Sequence, residues 1–247
     1  MKNPRVNILG TEIDNITLSD LLENLGKTGG LVVTPNVDHL IKLRKDKEFQ
    51  QVYANADYRI CDSKVVQIAS YFLGQPIQEK ISGSDFFPAF YQTYARNPEI
   101  RIFLLGAQPG VAKIAQQKIN DKVGRQIIVD AYSPHFGFEK DEVECQKIVD
   151  LIKQSGATVL AVGLGAPKQE KWLACYRDKL PLIKIFMAIG GTIDFEAGHI
   201  RRSPKWMSEM GLEWLFRLSL EPKRLWRRYL IESLPFFWLV LKQKFSL

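Results

Sequence analysis

The stretch IRIFLLGAQPGVAKIAQQKINDK, residues 100–122, carries the clearest fold signal in the chain. Its first six residues, 100–105, are almost all apolar, which is typical of a buried strand. The turn Gly106-Ala-Gln-Pro-Gly110 follows, and residues 111–122 are predicted to form a helix. A strand, a glycine-containing turn and a helix in this order predict one unit of an α/β fold with a parallel sheet.

The same alternation continues on both sides of this unit. Further strands are predicted at residues 31–34, 58–61, 125–130, 158–163 and 183–189, and helices at residues 38–44, 63–73 and 140–154. In the last of these helices, Val143, Ile148, Val149, Leu151 and Ile152 are expected to face the sheet. We therefore expect an α/β fold whose mostly parallel sheet is flanked by helices.

Composition fits a globular protein with a sizeable core. The 247 residues are 46% hydrophobic and 25% charged, which argues against disordered and fibrous chains. Cys61, Cys145 and Cys175 are far apart and lack CxxC spacing, so neither a disulfide framework nor a structural zinc site is indicated. The N-terminus has no secretory signal, and the apolar run 234–241 is far shorter than the ~20 residues of a membrane-spanning helix. We expect a cytoplasmic protein.

The pattern changes after Gly198. Residues 199–247, called here the C-terminal segment, hold ten Lys or Arg and four Asp or Glu, so they contribute +6 of the net charge of +7. Four of the five tryptophans also lie there. We expect an α/β domain over residues 1–198 and a helical appendage over residues 199–247.

Two helices are predicted in the C-terminal segment, at 204–220 and 222–242, with Pro235 kinking or breaking the second. Arg217, Arg224 and Arg227 would share one helix face if the helix continued through Pro222. Basic residues interleaved with aromatic ones favour an anionic membrane surface as partner. A salt-bridged helix on a protein surface and a homo-oligomer stay open, whereas no recognition motif supports nucleic acid.

Three glycine-containing turns follow predicted strands: Gly106-Ala107-Gln-Pro-Gly110, Gly163-Leu-Gly165-Ala-Pro167-Lys168-Gln169-Glu170 and Gly190-Gly191-Thr-Ile-Asp194. Ligands of open α/β sheets gather at the carboxyl ends of strands, where helix N-termini favour phosphates, so these turns predict a nucleotide or sugar-phosphate site. Each one could also be a plain connection, and the triplet Lys168-Gln169-Glu170 could be a solvated first helical turn after Pro167. Neither GxGxxG nor GxxxxGK[ST] occurs, which argues against NAD and P-loop chemistry.

Asp62 follows the predicted strand 58–61, so its carboxylate should point into the same crevice. It is the candidate general base, although it could instead N-cap the helix that begins at Ser63. His39, His135 and His199 lie far apart, and no Asp-x-Asp occurs. We expect no metal and no cofactor, with Lys, Arg and backbone N–H groups stabilising a diphosphate leaving group.

At these residues the sequence resembles the WecG/TagA/CpsF family of bacterial glycosyltransferases over nearly the whole chain. The matching pieces are Thr34-Pro-Asn36, Asp62, Gly83-Ser-Asp85, Phe103-Leu-Leu-Gly106-Ala-Gln-Pro-Gly110, Gly163-Leu-Gly165-Ala-Pro-Lys-Gln169-Glu170 with Trp172, Gly190-Gly191-Thr-Ile-Asp194 with Ala197-Gly198, Arg202-Ser-Pro204-Lys-Trp206, Gly211-Leu-Glu213-Trp214-Leu-Phe-Arg217, Glu221-Pro222-Lys-Arg224 and Arg227-Arg228.

The resemblance implies a Rossmann-like fold of the GT-E type and a metal-independent, inverting transfer. The sugar would pass from a UDP-sugar donor to a sugar on undecaprenyl diphosphate, at the inner face of the cell membrane. The resemblance makes Asp62 the base, Thr34 and Asn36 substrate contacts beside it, and Gln169 a contact in the pocket. It implies further substrate-binding positions at Lys80, Gly83, Asp85, Gly106, Ala107, Gly163, Gly165, Pro167, Lys168, Glu170, Gly190, Gly191 and Asp194. Arg202, Arg217, Arg224, Arg227 and Arg228 would bind the lipid diphosphate from the appendage.

Two departures from the family pattern concern the donor. Ser63 and Lys64 follow Asp62 where the family usually has glycine, and Lys80 stands where an arginine is typical. Lysine lacks the bidentate fork of arginine, so a changed donor is expected. The donor sugar is left open among N-acetylmannosamine, its uronic acid and a hexose. The alternative is a non-catalytic module that binds a nucleotide sugar or an anionic membrane.

Overall fold

The computed structural model describes residues 4–245, which alternate strands and helices through the first part of the chain and are helical after Gly198. The strands are β1 Arg5–Ile8, β2 Thr11–Asp14, β3 Gly30–Val33, β4 Tyr58–Arg59, β5 Ile102–Gly106, β6 Ile128–Tyr132, β7 Val159–Gly163 and β8 Ile185–Ala188. The α-helices are α1 Leu18–Thr28, α2 Val37–Leu43, α3 Lys47–Ala54, α4 Lys64–Phe72, α5 Gly83–Thr93, α6 Val111–Val123, α7 Glu142–Ser155, α8 Lys168–Tyr176, α9 Thr192–Ala197, α10 Lys205–Glu209, α11 Glu213–Leu220, α12 Pro222–Arg227 and α13 Pro235–Phe245.

Six strands form one sheet in the order β4-β3-β8-β7-β5-β6, and every pairing in it is parallel. This confirms the expected α/β fold and all six predicted strands. The limits of β6 differ from the prediction of 125–130, because the Arg125 guanidinium turns back and donates to the carbonyls of Asn97 and Ile100 at 2.7 and 3.0 Å. Residue 125 is thereby part of the turn that precedes the strand.

Helices cover both faces of the sheet and produce two separate apolar layers. Alternate residues of each strand point to opposite faces, so Val33 and Leu105 join one layer whereas Val32 and Leu104 join the other. The first layer is closed by α2, α3, α4, α7, α8 and α13, and the second by α1, α5, α6 and α9. A sheet that is buried on both faces leaves only the strand ends open to a ligand.

A two-stranded antiparallel hairpin, β1–β2, precedes this sheet and was missed by the sequence analysis. Its strands have only four residues each, and they contain polar residues that hide the apolar alternation. Leu9 and Gly10 form the turn with φ of 53° and 82°, a left-handed pair that favours tight hairpins.

Helix α7 confirms the helix predicted at 140–154, with one exception in its orientation. Asp141 caps the helix by accepting from the N–H groups of Val143 and Glu144. Val143 therefore lies in the first turn on the outer side and is 80% exposed, so the prediction that it faces the sheet was wrong.

Over its described residues, 199–245, the C-terminal segment contains four α-helices where two helices were predicted. The first predicted helix breaks around Gly211, whose φ is 77°. Helix α11 ends at Leu220 and α12 begins at Pro222, so Arg217 and Arg224 lie on different helices and the continuous face through Pro222 does not form. The second predicted helix ends in a π-helical turn, Arg228–Glu232, and Pro235 begins α13 as a separate helix.

Helix α13 packs against the first part of the chain. Phe236 and Val240 are buried in the first apolar layer. Gln243 accepts from the N–H of Leu9 at 2.8 Å and donates to the carbonyl of Asn7 at 2.9 Å. The division into domains at residue 198 stays a prediction. Across residues 4–245, no helix combines the length and apolar character needed to cross a bilayer.

Candidate active site

A cavity of about 860 Å³ lies at the carboxyl ends of the parallel strands, where the C-terminal segment covers part of it. The strands end here in turns whose backbone and small side chains form its floor, as the sequence analysis expected for an α/β sheet. The predicted site residues that line it are Thr34, Asn36, Asp62, Gly83, Ala107, Gly163, Gly165, Lys168, Gln169, Gly190, Gly191, Asp194, Arg217, Arg224 and Arg228. The structure thus brings together residues from most of the chain.

Three glycines at the ends of β5, β7 and β8 are packed backbone on backbone. A Cβ atom on Gly106 would lie 2.3 Å from the carbonyl oxygen of Gly163, and one on Gly163 would lie 2.6 Å from the carbonyl oxygen of Gly190. Gly106 and Gly163 are therefore required by the close approach of neighbouring chains. We call Gly106, Gly163 and Gly190 the glycine stack.

Asp62 lies between β4 and α4 and is partly accessible from the cavity. Ser63, and not Asp62, caps α4, because its hydroxyl accepts from the N–H of Val66. The Asp62 carboxyl is therefore free of the capping role that the sequence left open. Burial, followed by the negative charge of Glu213, raises the pKa of Asp62 to about 8, against the opposing charges of Lys80 and Arg217.

A second cavity of about 290 Å³ meets the first at Asp62. The residues shared by both cavities are Asn36, Asp62, Glu213, Arg217 and Arg228. Its other walls include the apolar side chains of Trp214, Leu230, Leu234 and Phe237 from the C-terminal segment. A more polar chamber and a largely apolar chamber thus open onto the same two carboxyl groups, those of Asp62 and Glu213.

The other residues near Asp62 are held by hydrogen bonds. The Thr34 hydroxyl donates to the carbonyl of Ala188 at 3.2 Å, which joins the ends of β3 and β8. The side-chain oxygen Oδ1 of Asn36 accepts from the N–H of His39 at 3.2 Å and caps α2. Both side chains are oriented by the fold and still face the cavity.

Arginines of the C-terminal segment supply positive charge to both chambers. The Nε atoms of Arg217 and Arg228 are buried and have no hydrogen-bond partner in the described structure. Arg228 also contacts Asp38 at 3.1 Å, and Arg224 forms a two-point ion pair with Glu221. Donors left unpaired in a buried position are suited to receive an anionic ligand.

Arg202 and Arg227 lie outside both cavities. Arg227 has a side chain that is 73% exposed and pairs with Glu232 at 3.2 Å, because α12 turns this residue away from the site. Arg202 pairs with Asp85. Neither of them contacts the open space that Arg217 and Arg228 face.

Lys80 lines the second cavity, and its Nζ lies 3.1 Å from the Asp85 carboxylate. Burial tends to raise the pKa of Asp85, but hydrogen bonds from Ser82 and Arg202 and the charge of Lys80 hold it at about 2. Asp85 is therefore a permanent anion that orients Lys80. It does not itself line either cavity.

The turn before α8 divides into residues that face the cavity and residues that do not. Lys168 lines the cavity while its Nζ pairs with Glu139 at 2.6 Å. Pro167 is the N-cap residue of the helix, which begins at Lys168. Glu170 was predicted to bind substrate, but it is completely buried and lines neither cavity, because its position in the first turn of α8 points into the protein.

Asp194 lines the cavity near the start of α9, where burial raises the pKa of its carboxyl. The negative charge of Glu221 acts in the same direction, while His199 and Arg224 oppose it. Its backbone carbonyl accepts from the N–H of His199 at 2.9 Å and so shapes the chain entering the C-terminal segment.

The residues of the site that the sequence did not predict include Glu213, His39 and Phe136. Glu213 faces Asp62 from α11, and its only sequence signal is a place in the motif around Gly211. His39 lines the cavity, and burial lowers its pKa to about 3, so it is neutral. Phe136 is 95% exposed at the cavity rim, with Lys168 Nζ 4.2 Å from its ring centroid. Within residues 4–245 no group of three or more His, Cys, Asp or Glu side chains could hold a metal ion.

The chain is similar in sequence to known proteins over nearly its whole length. A family model described as "Glycosyl transferase WecG/TagA/CpsF family" matches residues 6–247. A protein of Staphylococcus aureus strain MRSA252, named N-acetylglucosaminyldiphosphoundecaprenol N-acetyl-beta-D-mannosaminyltransferase, is 27% identical over 240 residues, covering 94% of this chain and 90% of the relative. Proteins of the same name from strains NCTC 8325 / PS 47 and N315 match with the same identity and coverage.

Proposed function

Because the chain belongs to the WecG/TagA/CpsF family of glycosyl transferases, we propose that it moves a sugar from a UDP-sugar to a sugar carried on undecaprenyl diphosphate. The observation that carries this proposal is the position of Asp62 where a polar and a largely apolar chamber meet. The staphylococcal relatives, named as transferases acting on an N-acetylglucosaminyl-diphosphoundecaprenol, support the choice of acceptor.

The donor occupies the larger chamber in this proposal. The first turns of α5 and α8 line it through Gly83 and Lys168, and exposed N–H groups at helix N-termini favour phosphate. Arg217 and Arg224 add positive charge from the opposite side. A nucleoside diphosphate would therefore lie along the strand ends with the sugar directed towards Asp62.

The acceptor enters through the smaller chamber. Leu230, Leu234 and Phe237 offer an apolar wall for the first isoprenoid units, while Arg228 and Lys64 offer positive charge for the diphosphate. In this proposal the acceptor sugar lies at Asp62, opposite the donor sugar. The two substrates would then meet without either one leaving its chamber.

The chemistry is a single displacement at the anomeric carbon. Asp62 accepts the proton of the acceptor hydroxyl as the oxygen of that hydroxyl forms a bond to the anomeric carbon. The bond from this carbon to the phosphate oxygen breaks, and UDP leaves with the electron pair. Attack from the side opposite the leaving group inverts the configuration. A base with a pKa near 8 binds a proton more strongly than an ordinary carboxylate does, which suits this role.

The charge that develops on UDP is stabilised by the cationic side chains and backbone N–H groups that face the larger chamber. We propose that this stabilisation makes the transfer independent of a metal ion. Arg217, Arg224 and Arg228 are the side chains placed to provide it.

The donor sugar is proposed to be N-acetylmannosamine, its uronic acid or a hexose. Lys80 should influence which donor sugar is accepted, because it lines the smaller chamber next to Asp62 and its side chain is held by Asp85. The product would belong to a cell-surface polysaccharide or teichoic acid, made at the inner face of the membrane.

The first experiment is a thermal-shift measurement with UDP, UDP-hexoses, UDP-N-acetylhexosamines, UDP-uronic acids and NAD, each with and without EDTA. A ligand that binds only the folded chain raises the melting temperature. We expect one UDP-sugar to give the largest shift and EDTA to leave it unchanged. A shift with NAD alone would contradict the proposal.

The second experiment tests Asp62 with that donor and a lipid-diphosphate-linked N-acetylglucosamine. Asp62→Asn should lower turnover by about 10²–10⁴, the usual contribution of a general base, while UDP affinity stays nearly unchanged. Unchanged turnover would remove Asp62 from the role. UDP binding by the unsubstituted chain without any turnover would favour the non-catalytic binding module.

A further inference from the structure

Glu170 is a buried carboxyl group that the proposed reaction does not use. It lies in the first turn of α8, next to Gln169, which lines the larger chamber, and its exposed fraction is 0%. One of its oxygens, Oε2, has no hydrogen-bond partner in the described structure. Native proteins rarely bury a polar atom without a partner, so the retention of this group calls for a physical reason.

The other oxygen of Glu170 begins a chain of hydrogen bonds that ends in the chamber. Gln169 Nε2 donates to Glu170 Oε1 at 2.9 Å, and the backbone N–H of Gly190 donates to Gln169 Oε1 at 3.1 Å. Gln169 is itself only 1% exposed, so both ends of its amide are committed to these partners.

The chemistry of the two ends fixes the orientation of the Gln169 amide. An ionised carboxylate only accepts hydrogen bonds, and a backbone N–H only donates them. The Gln169 amide therefore satisfies both neighbours in one orientation and neither neighbour when flipped. If Glu170 were replaced by an apolar residue, the Gly190 N–H alone would select this orientation, and the NH₂ end of the Gln169 amide would lose the acceptor that holds it in place.

Gly190 has no side chain that could anchor it, and its φ of 55° is left-handed. Its carbonyl packs against Gly163, and its N–H is held by Gln169. Gly190 and Gly191 together form the part of the chamber floor that follows β8.

We infer that Glu170 is a positioning residue, which acts through Gln169 to hold the Gly190–Gly191 turn in the conformation that faces the donor. Only the identity of the ligand above the turn, a nucleoside diphosphate, rests on the proposed function. The link from Glu170 to Gly190 rests on the hydrogen bonds alone.

The electrostatic surroundings agree with this role. Burial raises the pKa of Glu170 to about 7, whereas the hydrogen bond from Gln169 and the charge of Lys42 favour the ionised form. Near neutral pH the carboxyl thus spends part of its time uncharged. A glutamine at position 170 keeps an acceptor oxygen for Gln169 and should preserve the link, whereas a leucine of similar size should break it.

The test measures hydrogen exchange at the Gly190 amide by NMR in the full chain, with Glu170→Gln, Glu170→Leu and Gln169→Ala. Ser70→Ala is the matched control, because Ser70 is equally buried and accepts from the backbone N–H of Ile77 away from the cavity. We expect exchange at Gly190 to accelerate by about tenfold in Glu170→Leu and Gln169→Ala, the effect of losing one hydrogen bond. It should change by less than about threefold in Glu170→Gln and Ser70→Ala.

Unchanged exchange at Gly190 in a folded Glu170→Leu chain would overturn the inference. Equal acceleration at Gly190 and at the amides within β8 would overturn it too, because this pattern indicates general destabilisation.

The second readout is UDP affinity by calorimetry. We expect Glu170→Leu to weaken UDP binding by about tenfold and Glu170→Gln to restore it to within about twofold. Equal affinity in the unsubstituted chain and Glu170→Leu would overturn the claim that the turn faces the donor. If UDP binds to none of the chains, the proposed function fails, and the exchange measurement still decides the link from Glu170 to Gly190.

Discussion

Asp62 and Glu213 are two carboxyl groups from distant parts of the sequence that face the same two chambers. Glu213 makes ionisation of Asp62 less favourable, whereas Lys80 and Arg217 make it more favourable. The C-terminal segment thus contributes both signs of charge to the environment of the proposed base. Burial and these charges together leave Asp62 mostly protonated at neutral pH and ionised above pH 8.

This balance predicts the pH dependence of turnover and its change in Glu213→Gln. A general base works when deprotonated, so turnover should rise with pH through the Asp62 pKa of about 8. Removal of the Glu213 charge lowers that pKa, so the rise should occur at lower pH. At pH 7, turnover as a fraction of its own high-pH plateau should increase by about twofold or more.

A pH–rate profile of each variant, normalised to its plateau, is the measurement. Glu232→Gln is the matched control, because Glu232 lies in the same segment, pairs with Arg227 and lines neither cavity. An identical midpoint for Glu213→Gln and the unsubstituted chain would contradict the coupling of the two carboxylates.

The sequence predicted the positions of some site residues and not of others. Asp62 was predictable, because the end of a parallel strand always lies at the crevice edge. Glu213 and Arg227 were not, since their positions depend on how four short helices fold back over the sheet. Glu170 was misplaced because sequence spacing does not reveal which side of a first helical turn faces the interior.

Among the elements, α13 and the hairpin β1–β2 stabilise each other through Gln243. Its side chain bonds to the backbone of Asn7 and Leu9 on either side of the hairpin turn, and the apolar residues Phe236 and Val240 lie on the same helix. The two strands of the hairpin alone would be marginal in water, so this contact should contribute to their stability.

Gln243→Leu should lower the free energy of unfolding by about 1–3 kcal/mol, because the N–H of Leu9 loses its partner. Denaturation by urea, followed by circular dichroism, measures the change. Lys242→Ala alters an exposed neighbour and should have an effect below about 0.5 kcal/mol. Equal stability of Gln243→Leu and the unsubstituted chain would show that the contact contributes nothing.

Local sequence patterns predicted the sheet strands and several helices, but not the order of the strands in the sheet. All six sheet strands and helices such as α6 were predicted, because each has a continuous apolar run or a clear helical spacing. The order β4-β3-β8-β7-β5-β6 was not, since strand pairing joins residues far apart in sequence. The breaks in the C-terminal segment arise at Gly211, Pro222 and Pro235, and only the first of these was not expected.

At the scale of the whole molecule, the C-terminal segment has two faces. Leu225, Phe236 and Val240 are buried against the rest of the chain. The apolar side chains on its outer surface include Trp206, Met210, Trp226, Ile231, Trp238 and Phe245. We propose that this outer surface, with the basic residues around it, binds the anionic membrane that carries the acceptor.

Triple substitution of Trp226, Ile231 and Trp238 by serine should release the chain from vesicles that contain anionic lipid. Co-sedimentation at low and high salt is the measurement, and binding should weaken as salt screens the basic residues. These substitutions leave the buried face intact, whereas removal of residues after Gly198 would uncover the first apolar layer.

The control for this prediction is serine substitution of Ile114, Val143 and Leu182, which are exposed apolar residues outside the C-terminal segment. It should leave vesicle binding unchanged. Equal co-sedimentation of the two triple variants would refute the membrane-binding surface.

The glycine stack limits how this enzyme can diversify. Gly163 and Gly190 line the chamber and Gly106 lies behind them, and a single methyl group on Gly106 or Gly163 would collide with the neighbouring backbone. The floor of the site therefore cannot be reshaped one substitution at a time. Variation in substrate preference should instead arise at side chains such as Phe136 at the rim and Lys80 in the smaller chamber, where a substitution leaves the sheet undisturbed.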